Sequence, residues 1–418
     1  MRPLISFLVV AIIFLIPYQD LLASVFMQAG INRSVIWFFV AYKEFMIILL
    51  GFIITPKLKI KKRYILIYVF ILIIGFRLVT DTIPFSIRII GVRTYLLLFA
   101  GLFLGEYLGR TSKLDWGESK VFLYICITYS VGCLLQHFVF PLSIFREVFP
   151  ILEMKREILD QNTLNEYYNT GLPVNFMGER TVRLLGPFNE PLYAAYYALF
   201  FFNIYFFRFY RKQDKKSAAL SILLIVLIFL TQTRAVILSA LLLVAFLYRS
   251  RINLKTLLVF IVSGIGVVVL FKDWILELFG SMFSFSGRSI GHVLAYIEGI
   301  GLIINNPFGY GLGFASSLSG YMDGANKVNP LENAILNMAL ELGIIPALIL
   351  CIYLIKLLLF NNRYEGSDHL PYSFLIVQML FMGLLAPHIF TSRILIPYAI
   401  FIGFGTGRVL LFKQKNEN

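Results

Sequence analysis

The chain has 418 residues, 59% of them hydrophobic and 14% charged, with a mean hydropathy of +0.81. That leaves too little polar surface to coat a soluble fold of this size, and it marks an all-α, polytopic membrane protein. The formal net charge of +14 does not point to nucleic acid, because the basic residues form short clusters between apolar runs, as the positive-inside rule arranges them.

The N-terminal "MRPLISFLVVAIIFLIPY" has the basic start and apolar run of a signal peptide, but no small-residue cleavage site follows, so it reads as the first span. Three basic clusters then orient the chain: "KLKIKKR" (57–63), "RFYRKQDKK" (208–216) and "RSRINLK" (249–255). With these placed in the cytoplasm both termini are inside, and a span length of about 17 to 25 residues gives about twelve helices. The expected spans are 4–20, 35–55, 64–80, 93–109, 119–138, 191–209, 217–231, 234–248, 255–271, 331–358, 371–388 and 393–411. One polytopic domain over 1–418 is expected, with two long outward connections at 139–190 and 272–330 and short hairpins elsewhere. Loops longer than about 15 residues are usually functional or disordered, and the aromatic and aliphatic content of these two argues for order. The hydropathy shows no internal repeat of the kind secondary transporters often carry. Cys126, Cys133 and Cys351 fall inside apolar segments and read as small buried hydrophobes.

Under this topology Arg77, Arg88, Arg93, Arg183, Arg234, Arg288 and Arg393 lie at or near the outer face, against the positive-inside bias. Any one of them reads as well as an interfacial anchor or carboxylate partner as it does as a ligand contact; together they favour an anionic ligand. Arg183 and a Gly-Pro pair stand just ahead of the apolar run that starts at 191. Arg234 sits in a tight outer turn, "LTQTRA", at the depth of lipid phosphates, where a guanidinium fork suits phosphate.

The second long loop contains "GRSIGHVLAYIEGIGLIINNPFGYGLGF" (287–314). Arg288 and His292 are four residues apart, and Ile290, Val293, Leu294, Ile297 and Ile300 follow a helical period, which predicts an amphipathic helix lying against the membrane. Pro307, Gly309, Gly311 and Gly313 end that helix in a tight turn or an anion-binding nest. In "NPLENAILNMALELG" (329–343), Pro330 suits a helix start, and Glu332 either complements the helix dipole or acts as a general base. Glu341, nine residues on, faces another side of the helix and forms no carboxylate pair with Glu332.

Four ordered elements over 181–343 now match a pattern: "RLLGPFNEP", "TQTRA", "NNPFGYGLG" and "ENAILNMALELG". The chain resembles the bacterial O-antigen polymerase and O-antigen ligase superfamily of integral membrane glycosyltransferases. In the ligase branch a presumed catalytic histidine precedes the Asn of the last element; here Glu332 stands before Asn333. That departure favours a Wzy-type polymerase of undecaprenyl-diphosphate-linked repeat units for O-antigen, capsule or exopolysaccharide, with the ligase as runner-up and a lipid-linked oligosaccharide flippase as the alternative from another class. The resemblance implies that Arg183, Arg234 and Arg288 hold the diphosphate, with Glu332 or His292 as catalytic base and Arg77, Arg88, Arg93, Asn333, Gly311 and Gly313 as further substrate contacts. It implies no cofactor, and the absence of an Asp-x-Asp motif points to metal-independent chemistry. The expected location is the bacterial inner membrane with the reaction facing outward. Expected partners are the lipid-linked oligosaccharide and membrane lipids, with room for a chain-length regulator and none for nucleic acid.

Overall fold

The computed structural model describes residues 2–58, 64–111, 119–139, 148–149, 151, 154, 173–176, 179–248, 287–315, 333–363 and 370–417. In chain order the helices are α1 (Arg2–Leu15), α2 (Gln19–Gln28), α3 (Arg33–Ile54), α4 (Ile65–Thr80), α5 (Phe85–Thr111), α6 (Lys120–Leu134), α7 (Pro191–Lys212), α8 (Lys215–Leu230), α9 (Arg234–Tyr248), α10 (Gly287–Asn305), α11 (Ala334–Leu342), α12 (Ile344–Arg363), α13 (Leu370–Leu385) and α14 (Ser392–Glu417). The helices start where the sequence supplies caps. Asn32 accepts from Ser34 N–H, Ser119 from Val121 N–H and Asp214 from Ser217 N–H, while Pro191 opens α7.

The described chain departs from the all-helical expectation in one short antiparallel hairpin, β1 (Pro173–Phe176) with β2 (Glu179–Val182), inside the first long connection. Among the described residues six helical stretches are long and apolar enough to cross a membrane: Pro3–Gln28, Arg33–Leu58, Phe85–Thr111, Lys120–Val139, Ile344–Asn362 and Ser392–Gln414. This is fewer than the sequence leads one to expect, for physical reasons. Ile65–Thr80, Arg234–Leu247 and Tyr372–Leu385 are apolar but shorter, tyrosines and Asn203 dilute α7, and the expected span 255–271 lies outside the described residues. The expected span 331–358 is broken at Gly343, whose φ of 98° ends α11 before α12 begins. The fourth span starts at Phe85 rather than 93, which puts Arg88 and Arg93 inside α5.

The centre of the bundle is the seam between α5 and α14. Gly101, Gly105 and Gly109 recur every fourth residue on α5 and face Gly403 and Gly407 on α14. A Cβ on Gly105 would lie 1.9 Å from the Ile400 carbonyl, and one on Gly403 2.1 Å from the Leu102 carbonyl. Backbone therefore meets backbone along the seam, as small-residue stripes allow in membranes, where no hydrophobic effect pulls helices together. The pairing order, Gly101 with Ala399 and Gly109 with Phe404, makes α5 and α14 parallel.

Parallel contacts extend this frame. Glu44 pairs with Arg93 and Gly51 abuts Ala100, aligning α3 with α5; Tyr193 meets Arg393 and Phe200 packs on Phe401, aligning α7 with α14. The starts of α3, α5, α7 and α14 thus share one end of the bundle, with Arg183 beside them. Lys57, Arg110, Arg211, Lys212 and Arg408 lie at or toward the C-terminal ends of the same four helices, at the opposite end.

A Gly105→Ala variant should lower stability by about 1 to 3 kcal/mol through overpacking. Gly75→Ala on α4, whose Cβ would meet nothing within 4 Å, should be neutral or gain about 0.5 to 1 kcal/mol. Thermal unfolding of the two variants in detergent separates these outcomes; equal melting temperatures would show that the seam tolerates a methyl group.

Candidate functional site

The segment 183–190 is held from several directions. Arg183 donates from Nε to the Thr231 carbonyl at 2.7 Å and from Nη2 to Thr233 Oγ1 at 3.0 Å. Leu184 N–H bonds the Leu230 carbonyl at 2.9 Å. Gln136 Oε1 accepts from both Leu185 N–H (3.2 Å) and Gly186 N–H (3.0 Å). Gly186 has a φ of 60°, and a Cβ there would strike Cys133 Sγ at 2.8 Å, so glycine is required by both conformation and space. Phe188 is buried in an aromatic group with Tyr129, Tyr193 and Tyr197. The first two motifs read from the sequence are therefore in direct contact: Arg183 closes on the Thr231–Arg234 turn. Arg234 opens α9 from that turn and is exposed.

A second cluster surrounds the glycine-rich turn at 306–315. Arg77 pairs with Asp81 at 2.8 Å and donates to the carbonyls of Phe308 and Gly309. Asp81 Oδ2 accepts from Leu312 N–H at 2.8 Å. Glu341, buried on α11, accepts from the Tyr95 hydroxyl at 2.8 Å and from the backbone N–H groups of Gly313 and Ala315. Tyr310 N–H and Gly311 N–H bond the Leu340 and Glu341 carbonyls, and Ile344 N–H bonds the Pro307 carbonyl. The turn is thus the kind of concavity that holds anions, and its anions are the protein's own carboxylates. Gly311 and Gly313 have φ values of 116° and 85° and press against Asp81 and Ile87, which makes them structural parts of this clasp.

A third cluster lies inside the bundle. Arg393, first turn of α14, makes two 2.7 Å bonds to Asp20 of α2 and sits over the Tyr193 ring at 5.2 Å. Glu44 of α3 binds Arg93 at 3.0 Å, and Lys43 lies 3.7 Å from Glu44 while donating to the Val40 carbonyl. Asp20, Lys43 and Glu44 are buried, and the Arg93 side chain is 44% exposed. Ionisable groups inside membrane helices are expensive unless they are paired, and here each has an opposite charge beside it.

The remaining predicted residues fall as follows. Arg88 donates to the Leu78 carbonyl and covers the Phe85 ring. Asn333 caps α11, accepting from Ile335 and Leu336 N–H and donating to the Leu384 carbonyl at 3.1 Å. Tyr296, four residues beyond position 292 on α10, donates to the same carbonyl, which seats that helix beside α11. Arg288 and His292 stand on the helical backbone of α10 as expected; their side chains, like Glu332, lie outside the described residues. Ile297, Ile300 and Ile304 are exposed along the expected apolar face of α10.

Sequence reasoning passed over Asp20, Lys43, Glu44, Asp81, Tyr95 and Gln136. The signal was there for three of them: "YQD" at 18–20 and "YKEF" at 42–45 put charges in the middle of apolar runs.

These features define a helical membrane protein with an arginine-rich site at one end of its bundle. Residues 219–352 of this chain match the model of a family described as O-antigen ligase, consistent with membership in the O-antigen polymerase and ligase superfamily. The match covers about a third of the chain and spans the Thr231–Arg234 turn, the glycine-rich turn and α11. No curated protein matches the chain.

Replacing Asp20 by Asn should cost about 3 to 5 kcal/mol, because it leaves the largely enclosed Arg393, 16% exposed, beside a neutral partner. Adding Arg393→Gln should then cost much less than it does alone. The check is a double-mutant cycle on melting temperature; additive losses would show that the pair is not coupled.

Proposed function

We propose that the protein polymerises lipid-linked oligosaccharide repeat units at the outer face of the bacterial inner membrane, with twelve spans and both termini in the cytoplasm. A hydroxyl of one undecaprenyl-diphosphate-linked unit attacks the anomeric carbon of the glycan on a second. The bond from that carbon to the diphosphate oxygen breaks, the hydroxyl proton passes to Glu332 or His292, and undecaprenyl diphosphate leaves. Arginines at 234 and 288 serve the leaving diphosphate by complementing the charge it develops, a role that preorganised cations perform without reorganisation, and Arg183 belongs to the same cationic corner.

The observation that carries this reading is the 2.7 Å bond from Arg183 to Thr231, which joins two motifs 48 residues apart into one cationic corner with Arg234 exposed beside it. A lipid-borne diphosphate is the anion chemically suited to a membrane-edge arginine fork. The segregation of Lys57, Arg211, Lys212 and Arg408 at the other end of the bundle supports the orientation. Glu332, standing where the ligase branch carries histidine, favours polymerisation, whereas the family description of the matched region keeps transfer of polymer to lipid A core as the second reading.

The test is a reconstituted reaction with an undecaprenyl-diphosphate-linked repeat unit, read as a ladder on a gel. Wild type should produce the ladder, and Arg234→Ala should lower kcat/KM by about 10²-fold, the usual cost of removing one group that stabilises developing charge. Glu332→Gln and Arg288→Ala should also be impaired. Transfer to lipid A core without a ladder would establish the ligase instead.

A further inference from the structure

The two arginines of the cationic corner do different things. Arg183 uses Nε and Nη2, the side-on fork with which a guanidinium grips a carboxylate or phosphate, on Thr231 O (2.7 Å) and Thr233 Oγ1 (3.0 Å). Thr231 is the C-terminal cap of α8, and Leu184 N–H takes the preceding carbonyl, Leu230 O, at 2.9 Å. The Arg183 segment therefore satisfies carbonyls that the end of α8 leaves without helical partners, and a cation there suits the helix dipole. Between the two threonines Gln232 is held at φ 52°, a left-handed conformation that a non-glycine residue adopts only when its surroundings impose it. Thr233 O then accepts Val236 and Ile237 N–H, starting α9 with Arg234 as its first residue. Arg183 is half-buried and Arg234 is exposed.

We infer that Arg183 is a positioning residue: it shapes the turn between α8 and α9, and Arg234, presented by that turn, is the residue that meets the anionic group. This division rests on the proposed anion-binding role of the corner and refines it. It also fixes what a neutral substitute at 183 must do. Glutamine places its Nε2 the same number of bonds from the backbone as arginine's Nε, so Arg183→Gln keeps a donor for the Thr231 carbonyl while removing the charge. Arg183→Met has the same length and no donor.

The experiment measures binding of farnesyl diphosphate, a soluble prenyl diphosphate, to the full-length protein in detergent at several salt concentrations. Inorganic diphosphate is the parallel probe, to separate recognition of the anion alone from recognition of a prenylated anion. A residue in contact with the anion contributes most to the salt dependence of binding, and a nearby charge turned to the backbone contributes less. Arg234→Gln should weaken binding about tenfold and flatten the salt dependence. Arg183→Gln should stay within about threefold of wild type and flatten the salt dependence less than Arg234→Gln does, as one retained hydrogen bond implies. Arg183→Met should bind more weakly than Arg183→Gln, with the same salt dependence as Arg183→Gln. If Arg183→Gln loses as much as Arg234→Gln and flattens the salt dependence equally, Arg183 contacts the anion and the inference is wrong while the anion site stands. Equal, near-wild-type binding by Arg183→Gln and Arg183→Met would remove the positioning role. If wild type binds neither probe, or Arg234→Gln binds as wild type does, the anion reading itself fails and the inference with it.

Discussion

The arrangement of this bundle depends on how closely α5 and α14 approach each other. Glycines at 101, 105, 109, 403 and 407 let two backbones touch along several turns, and at the last four of them an added Cβ would fall 1.9 to 2.3 Å from a carbonyl oxygen of the other helix. Because the helices are parallel, the seam brings the first turns of α5 and α14 to the same end. There Arg93 reaches Glu44 on α3, and Arg393 reaches Asp20 on α2 and the face of Tyr193 on α7. Tyr193 is two residues past Pro191, and the buried Phe188 packs on its ring, so the segment that begins with Arg183 is referred back to the seam through a short chain of contacts. In a bilayer the apolar face of a helix is indifferent to its neighbour, and contacts of this kind supply the order that burial supplies in water.

Much of the arginine at this end is answered by the protein itself. Arg77, Arg93 and Arg393 are matched with Asp81, Glu44 and Asp20. Their charge is largely neutralised within the protein, and it holds α4 to the glycine-rich turn, α3 to α5 and α2 to α14. A count of arginines therefore overstates the attraction this end offers an anion. The glycine-rich turn repeats the lesson: its N–H groups form a cradle, and Asp81 and Glu341 occupy it.

Much of this was legible in the sequence. Basic clusters and apolar runs located most helices, the period of 287–300 predicted α10, and "LTQTRA" predicted the turn between α8 and α9. The contact between Arg183 and that turn was not legible, since nothing in either motif states that the other lies beside it. The partners of Arg93 and Arg393 were missed because each carboxylate sits on a different segment, in a run whose hydropathy concealed it, whereas Asp81 stands four residues past Arg77 within reach of a helical pairing and was passed over. Asp20 stands alone and Glu44 beside Lys43 in long apolar runs, and a window average hides them. The break at Gly343 was missed because 331–358 has continuous hydropathy; the helix ends where the Pro307 and Phe308 carbonyls approach Gly343, a tertiary contact with no local signature.

The pairing of Asp20 with Arg393 also bears on how the protein is made. The partners are 373 residues apart, on α2 and α14. At about 5 to 20 residues per second of synthesis, Asp20 waits roughly 20 to 75 s for Arg393 to be made. An unpaired carboxylate is costly at the centre of a membrane helix and less so toward its end, and Asp20 lies eight residues before the end of the apolar stretch Pro3–Gln28. Lys43 on α3 lies near enough to answer part of its charge, and the two-pronged pairing forms only when α14 arrives, which makes closure of the α2–α14 contact a late event.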